Sequence, residues 1–191
     1  MAESSDWRRY YASAAGRAPR PHLRAALSHV QRPGTAIDLG AGDGVDSRFL
    51  LAEGWRVVAI DKTPGLGERI GLDAGPRLDA RDTTFADVDD LPAADLVFAG
   101  YSLPFATEAE FTHVWSQLTA ALVPGGVFAG QLFGDRDDWA HLDDVRTHTA
   151  EQVRDLLAGW HVLLLDEVER DGPSGRGPKH WHVFDIIARR R

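Results

Sequence analysis

The sequence contains no cysteine, a single methionine and no long run of apolar residues. Without thiols, the chain cannot build a disulfide framework, a thiolate zinc site or a cysteine nucleophile. No apolar run approaches the roughly 18 residues that a membrane-spanning helix needs. The N-terminal residues also lack the apolar segment of a signal peptide. We therefore expect a cytoplasmic protein with no membrane partner.

Basic residues are outnumbered by acidic ones. The chain has 21 Lys and Arg residues against 29 Asp and Glu residues, which gives a formal net charge of −8 at pH 7. A protein that binds nucleic acid through its phosphates usually carries a basic face. The charge balance therefore argues against a nucleic-acid partner and favours a neutral or cationic one.

Length and composition indicate one globular domain over residues 1–191. A chain of this length with 43% hydrophobic and 26% charged residues has the values of an ordinary folded domain. The spacing of apolar residues predicts helices at about residues 4–17 and 22–31. We expect residues 1–31 to form a helical lid over a core of residues 32–191.

Strand-like and helix-like segments then alternate from Thr35 to Ala158, which favours an α/β fold with a parallel sheet. Thr149 is placed to cap the last of these helices. Two late strands, at about residues 160–168 and 180–188, have no helix between them. Because parallel strands need a long crossover, we expect these two to pair as an antiparallel hairpin across a loop, Asp171–Pro178.

A glycine-rich turn follows the first predicted strand, in the segment Ala36-Ile-Asp-Leu-Gly-Ala-Gly-Asp-Gly-Val45. Glycines permit a tight turn and the close approach of a ligand. The spacing Gly-x-Gly-x-Gly differs from the Gly-x-Gly-x-x-Gly of dinucleotide sites. Asp43 and Asp46 in this turn would repel a pyrophosphate and suit a cationic ligand. Asp61, at the end of the next strand, suits the two hydroxyls of a ribose.

Four segments together resemble the class I S-adenosylmethionine-dependent methyltransferases. Asp38-Leu-Gly-Ala-Gly-Asp-Gly44 matches the first motif of that family, and Ile60-Asp61 matches the second. Asp95–Gly100 is similar to the fourth-strand motif, and Pro124-Gly125-Gly126 to the turn before the fifth strand. A narrower resemblance, to small bacterial methyltransferases of the tellurite-resistance-like type, is carried by Tyr10-Tyr11, Tyr101-Ser-Leu-Pro-Phe105 and Lys179-His-Trp-His182.

The resemblance implies a Rossmann-like α/β fold. Its sheet would have seven mostly parallel strands in the order 3-2-1-4-5-7-6, with strand seven antiparallel and helices on both faces. The resemblance also implies S-adenosylmethionine as cofactor, S-adenosylhomocysteine as product, and a small-molecule or peptide acceptor for the methyl group. No metal is expected.

The resemblance assigns residues to the cofactor by position. The backbone of Gly40 and Gly42 would hold the methionyl part, Asp38 would orient its head, Asp61 would hold the ribose and Lys62 would border the adenine. The complete set implied for cofactor binding is Asp38, Gly40, Ala41, Gly42, Asp46, Asp61, Lys62, Thr84, Phe85, Gly100, Tyr11 and Arg20.

The segment after strand three departs from the family pattern. The family usually has an acid and an apolar residue there, at the adenine edge, whereas this chain has Arg81-Asp-Thr-Thr-Phe-Ala-Asp87. One register places Thr84 at the acid and Phe85 beside the ring, and Asp82 is the alternative to Thr84. Phe85 is the preferred contact of the three.

Candidate catalytic residues are Tyr101, His180 and Tyr11, since a base is needed only if the acceptor must lose a proton. Arg17 and Arg20 are either solvated or pair with the carboxylate of the cofactor. The predicted substrate contacts are Tyr101, Ser102, Asp135, Trp139 and His182. Each has an ordinary alternative, such as packing for the aromatic rings, a solvated turn for Asp135 and plain strand positions for the histidines.

Two other functions stay open at this point. One is a protein that binds S-adenosylmethionine without transferring its methyl group. The other is a nicotinamide-dependent oxidoreductase, against which the glycine spacing and Asp43 both argue.

Overall fold

The computed structural model describes residues 17–175 and 177–191, without the side chains of residues 72–74. Tyr11 and nearly all of the helix predicted at about residues 4–17 lie outside the described residues. The second predicted helix is present as α1, Pro21–Leu27.

The strands of the described residues form one mixed sheet. Its order is β3-β2-β1-β4-β5-β8-β7, with β6 beside the end of β5. The seven-strand order expected from the resemblance is therefore confirmed, and β6 is an added two-residue strand. The strands are β1 Thr35–Leu39, β2 Arg56–Asp61, β3 Leu78–Asp82, β4 Ala94–Ala99, β5 Leu122–Gly134, β6 Thr147–His148, β7 His161–Ser174 and β8 Gly177–Arg189.

β8 is the strand that breaks the parallel pattern. It runs antiparallel to β5, from Val127 opposite Arg189 to Phe133 opposite Val183. It also runs antiparallel to β7 over the whole hairpin. The hairpin is longer than predicted, because most of the expected loop at residues 171–178 is paired. Gly172 lies opposite Lys179, and the chain turns only after Ser174, whose hydroxyl donates to the carbonyl of Gly177 at 2.6 Å.

Among the described residues, four further α-helices connect the strands. They are α2 Val45–Ala52, α3 Leu66–Ile70, α4 Glu108–Ala121 and α5 Ala150–Leu156. Thr149 caps α5 as predicted, since its hydroxyl accepts from the N–H of Gln152 while the Gln152 side chain accepts from the N–H of Thr149. Short 3₁₀ turns lie at Leu72–Arg77, Phe85–Asp87 and Leu103–Phe105.

The core lies on both faces of the sheet because successive strand residues point to opposite sides. In β2, Val58 and Ile60 pack in the cluster that includes α4 and α5. Val57 and Ala59 pack in the other cluster, with α1, α2 and α3. Among the described residues, no helix is both long and apolar enough to cross a bilayer.

A substitution at Phe128 tests the packing on the face of the sheet that α4 and α5 cover. Its side chain is buried and meets the ring of Trp115 edge-on at 4.9 Å between centroids. We expect Phe128→Ala to lower the free energy of unfolding by about 3–5 kcal/mol in urea denaturation, because it leaves a cavity. Val162→Ala is the control, since 41% of Val162 is exposed and its loss should cost well under 1 kcal/mol. Equal losses in the two variants would contradict this account of the core.

Candidate active site

A cavity of about 1270 Å³ lies at the edge where the parallel strands end. Strand ends of a doubly wound sheet meet at one edge, and ligands bind there. The residues that follow β1, β2, β3 and β4 all contribute to its lining. Of the residues implied for the cofactor, those lining the cavity are Arg20, Asp38, Gly40, Ala41, Gly42, Asp46, Asp61, Lys62, Thr84, Phe85 and Gly100.

The glycine turn after β1 needs its glycines for both conformation and space. Gly40, Gly42 and Gly44 have φ values of +72°, +56° and +72°, a region that other residues rarely adopt. A Cβ on Gly40 would lie 2.3 Å from Cβ of Ser102. The Ser102 hydroxyl donates to the carbonyl of Leu39 at 2.6 Å. The turn is thus packed directly against the end of β4.

Asp61 ties the turn to the end of β2. Its Oδ2 accepts the N–H of Gly42 at 2.9 Å, and its Oδ1 accepts the N–H of Thr63 at 2.8 Å. The Arg69 guanidinium lies 3.7 Å from Oδ1 and also donates to the Gly42 carbonyl at 2.8 Å. The carboxylate is 4% exposed and lines the cavity. Asp61 therefore shapes the turn as well as facing the site.

Asp38 is a buried carboxyl at the end of β1. Its Oδ2 accepts the hydroxyl of Ser47 at 2.6 Å. Burial, followed by the negative charge of Asp46, raises the pKa of Asp38 to about 7. A group with this pKa changes its charge near neutral pH, so a bound cation would favour its ionised form.

Arg17 and Arg20 pair with the acidic residues of the turn. Arg17 donates to both carboxylate oxygens of Asp43 at 2.9 Å. The guanidinium groups of Arg17 and Arg20 lie 2.6 and 2.8 Å from the same oxygen of Asp46. Burial raises the pKa of Asp46, but these bonds outweigh it and hold the pKa below its ordinary value. The sequence analysis, which took Asp43 and Asp46 to favour a cationic ligand, did not foresee that these two arginines neutralise both carboxylates.

The three residues at and after the end of β3 that were considered for the adenine edge, Asp82, Thr84 and Phe85, have different surroundings. Asp82 accepts the N–H groups of Gly65 and Leu66 at 2.9 and 3.0 Å, so its carboxylate holds the start of α3. Thr84 and Phe85 line the cavity, and the Thr84 hydroxyl donates to Asp87 at 2.6 Å. Asp82 is not among the residues that line the cavity.

Tyr101 lies at the end of β4 in a conformation that its side chain disfavours, with φ +58°. Its ring lines the cavity, as does Arg170 of β7. Burial, followed by the charge of Asp185, raises the pKa of Tyr101 above its ordinary value. The phenol is therefore protonated at neutral pH.

An aromatic wall lines the cavity on the side of β4, β5 and β8, and its Tyr101 ring lies 5.9 Å from the guanidinium of Arg20 beside the glycine turn. We use this name for Tyr101, Phe105, Phe133, Trp139 and Trp181, which all line the cavity. Neighbouring ring centroids in the wall lie 5.8–6.3 Å apart. Sequence reasoning named only Tyr101 and Trp139. The others were missed because ordinary apolar patterning does not distinguish a cavity wall from a core.

A buried ion pair lies behind the aromatic wall. The Lys179 ammonium is bonded to Asp137, and both side chains are almost wholly buried. The ammonium lies 3.7, 4.0 and 4.6 Å from the ring centroids of Trp139, Trp181 and Phe133. Asp137 also accepts the N–H of Trp139 at 3.0 Å. The pair thus joins the loop after β5 to β8 and fixes the rings between them.

Three predicted site residues lie away from the cavity. Asp135, His180 and His182 are absent from its lining. His182 is fully buried, with Nδ1 accepting the N–H of Arg136 at 3.0 Å and Nε2 lying 3.0 Å from Glu167. His180 pairs with acidic residues of β7 at the protein surface. The hairpin turns the histidines away and directs Trp181, the residue between them, toward the cavity.

A cluster of side chains that could ligate a cation lies on β7 and β8, outside the cavity lining. Oxygen and nitrogen atoms of Glu167, Glu169 and His182 lie within 4.8 Å of one another. The Arg136 guanidinium already lies 2.7 and 2.6 Å from the two glutamates. These carboxylates are therefore neutralised by an arginine of the same chain.

No family model matches the chain. A curated protein, hemagglutinin 1 of Eikenella corrodens, is 27% identical over 153 residues. The alignment covers 76% of this chain and 49% of that protein, so the chain spans about half the length of this relative.

Solved methyltransferases have the same architecture. The 1,6-didemethyltoxoflavin-N1-methyltransferase of Burkholderia thailandensis, crystallised with 1,6-didemethyltoxoflavin and S-adenosylhomocysteine, is similar with a TM-score of 0.72 and 22% identity. That match covers 98% of this chain and 86% of the other. TehB from Haemophilus influenzae gives a TM-score of 0.79 at 14% identity, over 95% of this chain and 66% of its own. The chain therefore has the fold of the class I S-adenosylmethionine-dependent methyltransferases.

Proposed function

We propose that the protein is an S-adenosylmethionine-dependent methyltransferase that acts on a small-molecule or peptide acceptor. The observation that carries this proposal is the two-part cavity at the strand ends. One part has a glycine turn with buried carboxylates, and the other has an aromatic wall. A donor with a cationic centre and an apolar acceptor can therefore be held side by side. The likeness in fold to solved methyltransferases supports the assignment.

The donor set at the glycine turn fits this cofactor. Asp38 would face the cationic amino-acid head, and the backbone of Gly40 and Gly42 would flank it. Asp61 would accept the ribose hydroxyls, since a carboxylate can accept about four hydrogen bonds. Phe85 and Lys62 would border the adenine. The bound cofactor would supply a methyl group on a sulfonium centre, and the acceptor would contribute the electron pair for the new bond.

The residues of the chain would act by positioning and by excluding water. Tyr101 would orient the acceptor through its hydroxyl proton, because its pKa is raised. An acceptor that carries a proton would release it to solvent or would bind already ionised. This arrangement assigns no catalytic role to His180.

Ligand stabilisation separates the candidate functions. We expect S-adenosylhomocysteine at about 100 times its Kd to stabilise the fold by about 2.7 kcal/mol. For a chain of this size, the corresponding rise in Tm is about 5–10 °C. NAD⁺ should cause no rise. Stabilisation by NAD⁺ alone would overturn the proposal, and S-adenosylhomocysteine binding with no methyl transfer to any acceptor would favour a binding protein.

Phe85 tests the assignment of the adenine end. We expect Phe85→Ala to raise the Kd of S-adenosylhomocysteine about tenfold in calorimetry, because a stacked ring contributes about 1 kcal/mol or more. Phe49→Ala is the matched control. Phe49 is also half-buried but packs against Arg24, outside the cavity lining. Equal effects of the two variants would contradict the assignment.

The pH dependence of binding tests the role of Asp38. Its folded-state pKa of about 7 lies above the ordinary value of 3.8, so its ionisation destabilises the fold as the pH rises between these values. A bound ammonium group relieves that cost. We therefore expect the Tm shift caused by S-adenosylhomocysteine to grow from pH 6 to pH 8, and to grow less in Asp38→Asn. Parallel pH profiles of the two proteins would exclude this role.

A further inference from the structure

The aromatic wall has the shape of a site for a flat ring. Its members come from four parts of the chain: Tyr101 and Phe105 follow β4, Phe133 belongs to β5, Trp139 follows β5 and Trp181 belongs to β8. Aromatic rings interact best with other rings, in offset or edge-on arrangements at 4.5–7 Å. A saturated molecule of the same size cannot make these contacts over its whole area.

Three rings of the wall are contacted from behind by a buried cation. The buried Lys179–Asp137 pair contacts Phe133, Trp139 and Trp181 through the ammonium group. Burial of the ammonium lowers the pKa of Lys179, and the carboxylate of Asp137 opposes that change. Since this cation already occupies the rear face of the rings, the wall is unsuited to enclose a second cation.

The polar groups of this half of the cavity are donors. The Trp181 Nε1 atom is buried and has no hydrogen-bond partner among the described residues. An unsatisfied buried donor is costly, and a ligand that accepts its proton removes that cost. The Arg170 guanidinium lies 5.6 Å from the Trp181 ring, and its positive charge acts to lower the pKa of Tyr101.

We propose that the methyl acceptor is a planar aromatic molecule that carries an anionic or carbonyl oxygen. The ring lies against the aromatic wall, and the oxygen accepts a hydrogen bond from Arg170. A small rotation of the indole lets the buried Nε1–H of Trp181 donate to the same oxygen, and Tyr101 donates its hydroxyl proton to the same edge of the molecule. The statement that this ligand accepts the methyl group rests on the proposed function. The statement that the site binds an aromatic molecule through its oxygen rests only on the aromatic wall and its donors.

The experiment compares two carboxylates with the same carbon skeleton, one planar and aromatic and the other saturated and puckered. 1-Naphthoate and decahydronaphthalene-1-carboxylate are titrated by calorimetry into the protein saturated with S-adenosylhomocysteine. We expect 1-naphthoate to bind with a Kd at least tenfold lower than that of its saturated counterpart. Equal affinities, or no binding of 1-naphthoate, would overturn the proposal.

Two variants test the donors. Trp181→Phe keeps a ring and removes the N–H, and Arg170→Gln removes the positive charge. Each should raise the Kd of 1-naphthoate about fivefold to tenfold, the size expected for one lost hydrogen bond. Arg154→Gln is the matched control, since Arg154 is exposed on α5 and outside the cavity lining. An unchanged 1-naphthoate Kd in both test variants would contradict the assigned donors.

Binding of S-adenosylhomocysteine is measured first and separately. It should be unchanged in Trp181→Phe and Arg170→Gln, which shows that the variants fold. If S-adenosylhomocysteine fails to bind the native protein, the proposed function fails. The same 1-naphthoate titrations on the free protein then still decide whether the aromatic, oxygen-binding site exists.

Discussion

Hydrogen bonds that backbone N–H groups donate to buried carboxylates organise the edge of the sheet where the strands end. At the end of a strand the hydrogen bonds between neighbouring strands stop, and the next backbone N–H groups need other acceptors. The Asp61 carboxylate accepts the N–H groups of Gly42 and Thr63, so the glycine turn is held against β2. Asp137 does the same on the other side, where it accepts the N–H groups of Trp139 and His182. The two halves of the cavity are thus built by the same interaction.

The two halves differ in charge. Carboxylates crowd the glycine turn, and Arg17 and Arg20 neutralise Asp43 and Asp46 there. Asp38, bonded to a hydroxyl rather than to a cation, is left with a raised pKa. The aromatic half presents donors instead and keeps its one buried ammonium paired behind the rings. A cationic ligand is therefore favoured at one end of the cavity, and an oxygen-bearing ring at the other.

The half of the cavity at the glycine turn was largely predictable as a place in the fold, because its residues follow strand ends that local patterning locates. Gly40, Gly42 and Asp61 are examples, since each lies directly at or after a predicted strand and lines the cavity. The aromatic half was not predictable in the same way. His180 and His182 were correctly placed on one face of a strand, but alternation alone does not say which face meets the cavity. The pairing of β8 with β7 and β5 settles this and turns Trp181 inward.

The amino-acid sequence by itself determined the order of strands and helices, the antiparallel hairpin and the glycine turn, because these follow from periodicity and from the conformational freedom of glycine. Only the tertiary structure decided the partners of the charged residues. Arg17 pairs with Asp43 across 26 positions, and Lys179 with Asp137 across 42. Local patterns carry no information on such distant contacts. They arise when the sheet brings the strand ends together, and they decide which side chains face the cavity.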